Sequence, residues 1–255
     1  MLKKLLRDYR QLLEPISNPD DFLDTYEEFI KNLALFENHA LETVGEKSFA
    51  HYSLFFTNCQ RRYLMLKEQK ASRTLIKQNK ENTLIQRRWN SEFENNSYNR
   101  VKDLSRMVDF SSCKKIVMVG CGAFPATLFW IYDHYPGMKY IGIDLDSDCI
   151  ALSSSVSKEL NLEKIVFEAK DGREYNYRDV DFVYIANQVT PKKDVLSRIL
   201  ETSSKKIQIV VRNPTPLGRL LAECVLKSSP SNFSFVQAGH PSKSFLSQDL
   251  LAKIN

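Results

Sequence analysis

Glycine is scarce in this chain, with eight among 255 residues. Tight turns must then gather at few places, and a pair of glycines close together is informative. No run approaches 18 apolar residues, so no membrane-spanning helix is expected. Residues 1–15 lack an apolar stretch followed by a small-residue cleavage site, so no secretory signal is expected. The five cysteines form no C-x-x-C pair and the four histidines are scattered. No metal site is therefore expected, and the thiols are expected to be free in a reducing cytoplasm. What is present is ordinary. A composition of 43% hydrophobic and 26% charged residues belongs to a soluble globular protein, not to a disordered chain, a collagen-like fibre or a coiled-coil rod.

The net charge of +5 is small, but it is unevenly spread. Residues 1–50 carry six Lys/Arg against ten Asp/Glu. Residues 61–88 carry nine Lys/Arg against Glu68 and Glu81. Such a stripe attracts phosphate or another anion, unless it is simply a solvated helix face, which its thin aromatic content favours.

Two halves follow different periodicities. Up to about residue 110 apolar residues recur at helical spacing, as in Leu5, Leu6, Tyr9, Leu12, Leu13 and then Phe22, Tyr26, Phe29, Ile30, Leu33. Asn18-Pro19-Asp20 separates these two helices, and a third is expected over about 49–88. The first half, 1–110, is thus expected to be an all-helical cap of four to six helices. From Lys115 short β-branched runs alternate with helices, with strands expected at 115–119, 139–144, 165–169, 180–186 and 207–211. That alternation implies a parallel, doubly wound, Rossmann-type α/β sheet over 111–255. The tail, 233–238 and 245–253, is expected to close the edge as an antiparallel hairpin.

The glycines pair up in Val119-Gly120-Cys121-Gly122-Ala123-Phe124-Pro125, between the first strand and a helix. About 20 residues on, the second strand ends at Asp144-Leu145-Asp146, where an acid is placed to accept both ribose hydroxyls of a nucleoside. A dinucleotide fingerprint would require glycine where Pro125 stands, and proline removes a donor from the helix end that would face pyrophosphate. A nucleoside without phosphates remains acceptable, and S-adenosylmethionine (SAM) is the obvious one. Asp171-Gly172, after the third strand, is either an adenine contact or a plain turn. Asn187-Gln188 ends the fourth strand above the reacting end of the ligand. Arg212-Asn213-Pro214 ends the fifth, where Arg212 either grips a carboxylate or pairs with a surface acid. Tyr184 is expected in the core.

The segments VGCGAFPATL at 119–128, IGIDLDSDCIAL at 141–152, YIANQVTPKKDVL and IVVRNPTPLGRLL resemble the nicotianamine synthase family, above all its short bacterial members that make opine-type metallophores. The resemblance covers about residues 110–255. Azetidine-2-carboxylate synthases are similar in outline. The resemblance implies a class I SAM-methyltransferase-like fold on which an amine attacks the γ-carbon of the 3-amino-3-carboxypropyl arm of SAM and releases methylthioadenosine. The amine belongs either to a second substrate or to SAM itself. The family's catalytic acid and tyrosine lie in its helical half, and here Glu94 and Tyr98 are the candidates, with Asn187 beside the reacting end; the alternative for 93–99 is a polar connector with a packed aromatic. The other readings are a small-molecule methyltransferase, a nucleic-acid methyltransferase and a non-catalytic SAM-binding module. The expected partners are small molecules, with neither membrane nor nucleic acid.

Overall fold

The structure is a computed structural model that describes residues 1–80, 92–99, 101–162, 164–203, 207–237 and 246–255. Helix α1 (Leu2–Leu13) is followed by α2 (Pro19–Leu33), where Asn18 caps the start by accepting the N–H groups of Asp20 and Asp21 at 2.9 and 3.2 Å. Helix α3 (Glu46–Lys80) runs for 35 residues, a rod about 50 Å long. The expected extension of this helix to residue 88, with Glu81, Arg87 and Arg88, lies outside the described residues. A short α4 (Glu92–Asn99) leads towards the sheet.

The uneven charge has a structural cause. Helix α3 lays its cations against the acids of α2, with Lys70 Nζ 2.9 Å from Asp20 and Lys67 paired with Glu27. Arg62 donates to the carbonyls of Ile16 and Ser17 at 2.9 and 3.1 Å and stacks 4.0 Å over the Phe22 ring. Three of the nine cations of the stripe are therefore spent on packing α3 against α2 and the segment before it.

The sheet comprises β1 (Lys115–Val119), β2 (Lys139–Asp144), β3 (Ile165–Ala169), β4 (Phe182–Ile185), β5 (Gln208–Pro214), β6 (Phe233–Gln237) and β7 (Ser247–Ile254). Their order in space is β3-β2-β1-β4-β5-β7-β6. The first five are parallel, while β7 runs antiparallel between β5 and β6. Strand β5 runs three residues further than its sequence pattern, because β7 pairs with it as far as Pro214 opposite Ser247. This is the class I SAM-methyltransferase-like fold expected from the sequence, with helical segments ahead of the sheet. Ala238 and Phe245, at the expected hairpin ends, lie outside the described residues.

Alternation along the strands sorts side chains to two faces. Ile116, Met118, Tyr140, Phe182 and Tyr184 face α5 (Ala126–His134), α6 (Ser147–Glu159) and the second half of α3, including Ala71 and Leu75. Val117, Val119, Ile143, Val183 and Ile185 face α7 (Lys192–Thr202). A third cluster joins α1, α2 and the first half of α3 to Leu217, Leu220 and Leu246 from the C-terminal half. The helices before residue 110 thus share one core with the sheet and a second with the segments that follow β5 and precede β7.

No helix among the described residues is long and apolar enough to cross a membrane. Within the third cluster Phe29 is fully buried and stacks on Phe56 at 4.4 Å between ring centroids. Phe29→Ala is expected to cost about 3–5 kcal/mol. Chemical denaturation measures it, and a loss below 1 kcal/mol would show that the helical half contributes little to the cooperative unit.

Candidate active site

The chain diverges at the C-terminal ends of β1 and β4, which are neighbours whose connections leave to opposite sides. Open α/β sheets bind ligands in the crevice this creates. Here a cavity of about 510 Å³ opens there, floored by the strand ends and roofed by α3 and α4.

The glycine turn forms one wall. Gly120 and Gly122 have φ of +74° and +66°, a conformation that side chains disfavour. The space each leaves is filled by the protein itself. A Cβ at Gly120 would lie 2.5 Å from Val189 Cγ2, and one at Gly122 would lie 2.1 Å from Glu68 Oε2. The turn's amides are gripped by carboxylates from both sides. Gly122 N–H donates to Asp144 Oδ2 at 2.9 Å, and Ala123 N–H donates to Glu68 Oε2 at 3.0 Å. Ser72 Oγ, one turn further along α3, donates to the Ala123 carbonyl at 2.7 Å. Cys121 and Phe124 also line the cavity, while burial, followed by the charges of Asp144 and Glu68, pushes the Cys121 thiol well up. Pro125 caps α5, and the Ala126 N–H turns back onto the Phe124 carbonyl at 2.8 Å. That helix end has lost a donor that a phosphate would use.

Asp144 stands half-buried on the cavity wall, its Oδ1 accepting the Asp146 N–H at 3.1 Å. Each carboxylate oxygen keeps a second lone-pair site for a hydroxyl. Leu145 beside it is 68% exposed, an apolar face at the rim. Asp171 and Gly172 also reach the cavity. Asp171 is held by Arg173, whose Nε lies 2.9 Å from Oδ2, and that hydrogen bond keeps its carboxyl below the usual range. At the far side, Asn187 and Gln188 line the cavity, and Asn187 Oδ1 and Gln188 Oε1 are buried with no hydrogen-bond partner among the described residues. Two orphaned acceptors in one cavity call for a donor from a ligand, since each costs about 1–3 kcal/mol unpaired.

Three residues expected at the site behave differently. Helix α4 turns Phe93 and Ser97 into the cavity, and the next face carries Glu94 and Tyr98. A step of 100° per residue puts i and i+4 together and sends their neighbours elsewhere. Tyr98 donates to Asp133 Oδ2 at 2.6 Å and packs near His134, while Glu94 is buried outside the cavity lining. Neither touches the space where a ligand would react. Asn213 is likewise structural, its Oδ1 accepting the Val225 N–H at 2.8 Å and its Nδ2 donating to the Pro214 carbonyl at 3.0 Å.

Arg212 does reach the cavity floor, but its partner is a buried acid and not a surface one. Its Nη1 lies 2.9 Å from Asp249 Oδ2, its Nε donates to Ser247 Oγ at 3.0 Å, and Tyr184 donates to Asp249 Oδ1 at 3.0 Å. Strand β7 supplies both partners, with Asp249 directly opposite Arg212 in the register. Tyr184 is in the core as expected, though it also borders the cavity.

Sequence reasoning missed Glu68 and Arg61. Glu68 is one of two acids in a run with nine cations, an isolated exception that could have marked it. Arg61 sits exposed at the cavity rim with no acceptor among the described residues. Behind the Asn187-Gln188 wall, Lys192 is fully buried, and burial lowers it from an ordinary 10.5 to about 8, with Glu223 and Cys224 opposing that shift and Arg61 adding to it. Among the described residues no three His, Cys, Asp or Glu side chains group as metal ligands.

Strand order and the turn that follows β1 together define a fold of the SAM-methyltransferase type. Among solved structures the chain is similar to MtNAS, a nicotianamine synthase. A glutamate-to-glutamine mutant of it in complex with S-adenosylmethionine superposes with a TM-score of 0.82 at 16% identity, over 98% of this chain and 97% of the other. MtNAS in complex with MTA and tNA gives the same score and identity over 99% and 96%. No family model and no curated protein matches the sequence. The likeness is one of fold, and it spans the helical half as well as the sheet.

Removing the charge of Asp249 strands a buried guanidinium. Asp249→Asn is expected to destabilise the fold by about 3 kcal/mol, read by chemical denaturation; a loss under 1 kcal/mol would mean that Arg212 finds its counter-charge elsewhere. Lys192 binds its proton less tightly folded than unfolded. Between pH 8 and 10.5 the unfolded chain therefore holds more protons, and this residue's contribution to stability rises with pH. The stability difference between wild type and Lys192→Met is expected to move in favour of wild type by about 3 kcal/mol across that window. A difference independent of pH would show a lysine in contact with water.

Proposed function

We propose that this chain is a SAM-dependent transferase that uses the 3-amino-3-carboxypropyl arm of SAM and releases methylthioadenosine. The observation that carries this reading is Glu68: the helical half, which the likeness to MtNAS includes, delivers a carboxylate into a cavity otherwise built for a nucleoside. Asp144 is assigned to the ribose hydroxyls, Leu145 and Asp171 to the adenine end, and the Gly120–Pro125 turn to the middle of the ligand. Asn187, Gln188 and Arg61 are assigned to the aminocarboxypropyl end.

The chemistry is a displacement. The lone pair of an amine attacks the γ-carbon, the C–S bond breaks, and its electron pair neutralises the sulfonium to a thioether. The amine then gives up a proton. Alignment of nitrogen, carbon and sulfur supplies most of the rate, and a carboxylate beside the reacting end supplies the rest as proton acceptor and counter-charge. Glu68 is assigned that role in place of Glu94 and Tyr98. Whether the amine comes from a second substrate or from SAM itself distinguishes transfer from cyclisation to azetidine-2-carboxylate.

Incubation with SAM, alone and with amino acids, and chromatography of the nucleoside product test the reading. Methylthioadenosine is expected, and Glu68→Gln is expected to slow its release about 100-fold or more with SAM still bound. S-adenosylhomocysteine would instead establish a methyltransferase, and intact SAM a binding module. Methylthioadenosine from SAM alone, with a four-membered amino acid, would select cyclisation.

A further inference from the structure

Lys192 is the most unusual titratable group outside the assigned machinery. It is 0% exposed, and it stands at the first position of α7, where the helix dipole opposes a cation. Its Nζ donates to the carbonyls of Asn187 at 2.7 Å and Glu223 at 2.9 Å. Glu223 returns the grip. Its Oε2 accepts the Lys192 N–H at 3.1 Å and the Thr190 hydroxyl, while Ser228 Oγ holds Oε1 at 2.9 Å. The segment 187–192 is therefore strapped at both ends to the segment around Glu223. Gln188 adds a third tie, its Nε2 donating to the Leu221 carbonyl at 3.3 Å.

The strap has a consequence for the cavity. With its NH₂ group committed to Leu221, Gln188 presents Oε1 as an acceptor, next to Asn187 Oδ1. Both oxygens are buried without partners among the described residues, an arrangement that a free loop would relax by turning its amides to water. Val189, between Gln188 and Thr190, fills the space beside Gly120, so the same strap sets that wall of the turn. Sheet order separates the ends of the ligand: Asp144 and Asp171 follow β2 and β3, whereas Asn187 follows β4 on the other side of β1.

We propose that Lys192 is a positioning residue that, through the Asn187 carbonyl and Glu223, holds the amide oxygens of Asn187 and Gln188 ready to accept from the ammonium or amine at the aminocarboxypropyl end of the ligand. This rests on the SAM reading above. The burial that lowers the lysine's affinity for its proton is the cost of placing the strap under the cavity.

The test compares wild type, Lys192→Met and the milder Glu223→Gln by calorimetric titration with SAM and with methylthioadenosine, which lacks the amino-acid arm. Hydrogen exchange of backbone amides is followed in parallel. Lys192→Met is expected to weaken SAM at least tenfold and methylthioadenosine less than twofold, and to speed exchange at 187–190 at least tenfold without changing residues 120–124. Glu223→Gln is expected to do the same to a smaller extent, and it stands in if Lys192→Met does not fold. Equal losses for the two ligands, or unchanged exchange at 187–190, would overturn the proposal. If wild type binds neither ligand, the SAM reading fails by itself; faster exchange at 187–190 then still supports the strap, and unchanged exchange overturns it.

Discussion

The hydrogen bond from the Ala123 amide to Glu68 crosses from the glycine turn to the long helix of the N-terminal half, and the cavity depends on it. A side chain at Gly122 would meet that carboxylate and would be strained by the positive φ of the position. On the opposite side Asp144 holds the Gly122 amide, so the turn is suspended between two acids from elements 55 and 22 residues away. A hydrogen bond to a charged acceptor is worth about 1.5–3 kcal/mol, and these two add to the Gly120 and Cys121 N–H groups, which both donate to the Ile143 carbonyl at 2.9 and 3.1 Å. The same two carboxylates make this wall electronegative, which suits a sulfonium better than a phosphate.

Around that point the molecule divides its polar groups by task. Arg212, Asp249 and Tyr184 satisfy one another beneath the floor, and Lys192 and Glu223 do so behind the wall. Both sets use buried charge to fix geometry at the edge of a cavity, where packing alone leaves the backbone free to shift. Asn187 Oδ1 and Gln188 Oε1 stand apart as acceptors without partners among the described residues, so the rigid groups surround a small number of unpaired polar atoms. The likeness to MtNAS gives this division a frame that extends over the whole chain, helices included.

The basic stripe shows why charge counted along a sequence misleads. Arg62, Lys67 and Lys70 belong to a stripe whose composition favours a solvated face, yet Asp20 and Glu27 of α2 and the carbonyls of Ile16 and Ser17 just ahead of it take these three. Asp20 and Glu27 from the acidic segment and Lys70 and Lys67 from the basic helix meet across one interface. Arg61, one residue from Arg62 and so 100° around the helix, escapes this pairing and reaches the cavity rim.

The sequence by itself determined which segments form the parallel sheet and which strand-end residues stand together on the cavity. Each of these follows from local pattern: β-branched runs, a G-x-G turn after a strand, and an acid at the end of the next strand. Only the tertiary structure decided which helical residues roof the cavity. Glu94 and Tyr98 were near in sequence but lie on the wrong face of α4, whereas Glu68 was remote and points in. Asp249 became the partner of Arg212 only through the antiparallel register of β7. A helix declares its periodicity in sequence, but its rotation about its own axis is set by what it packs against, and that contact is made by residues far along the chain.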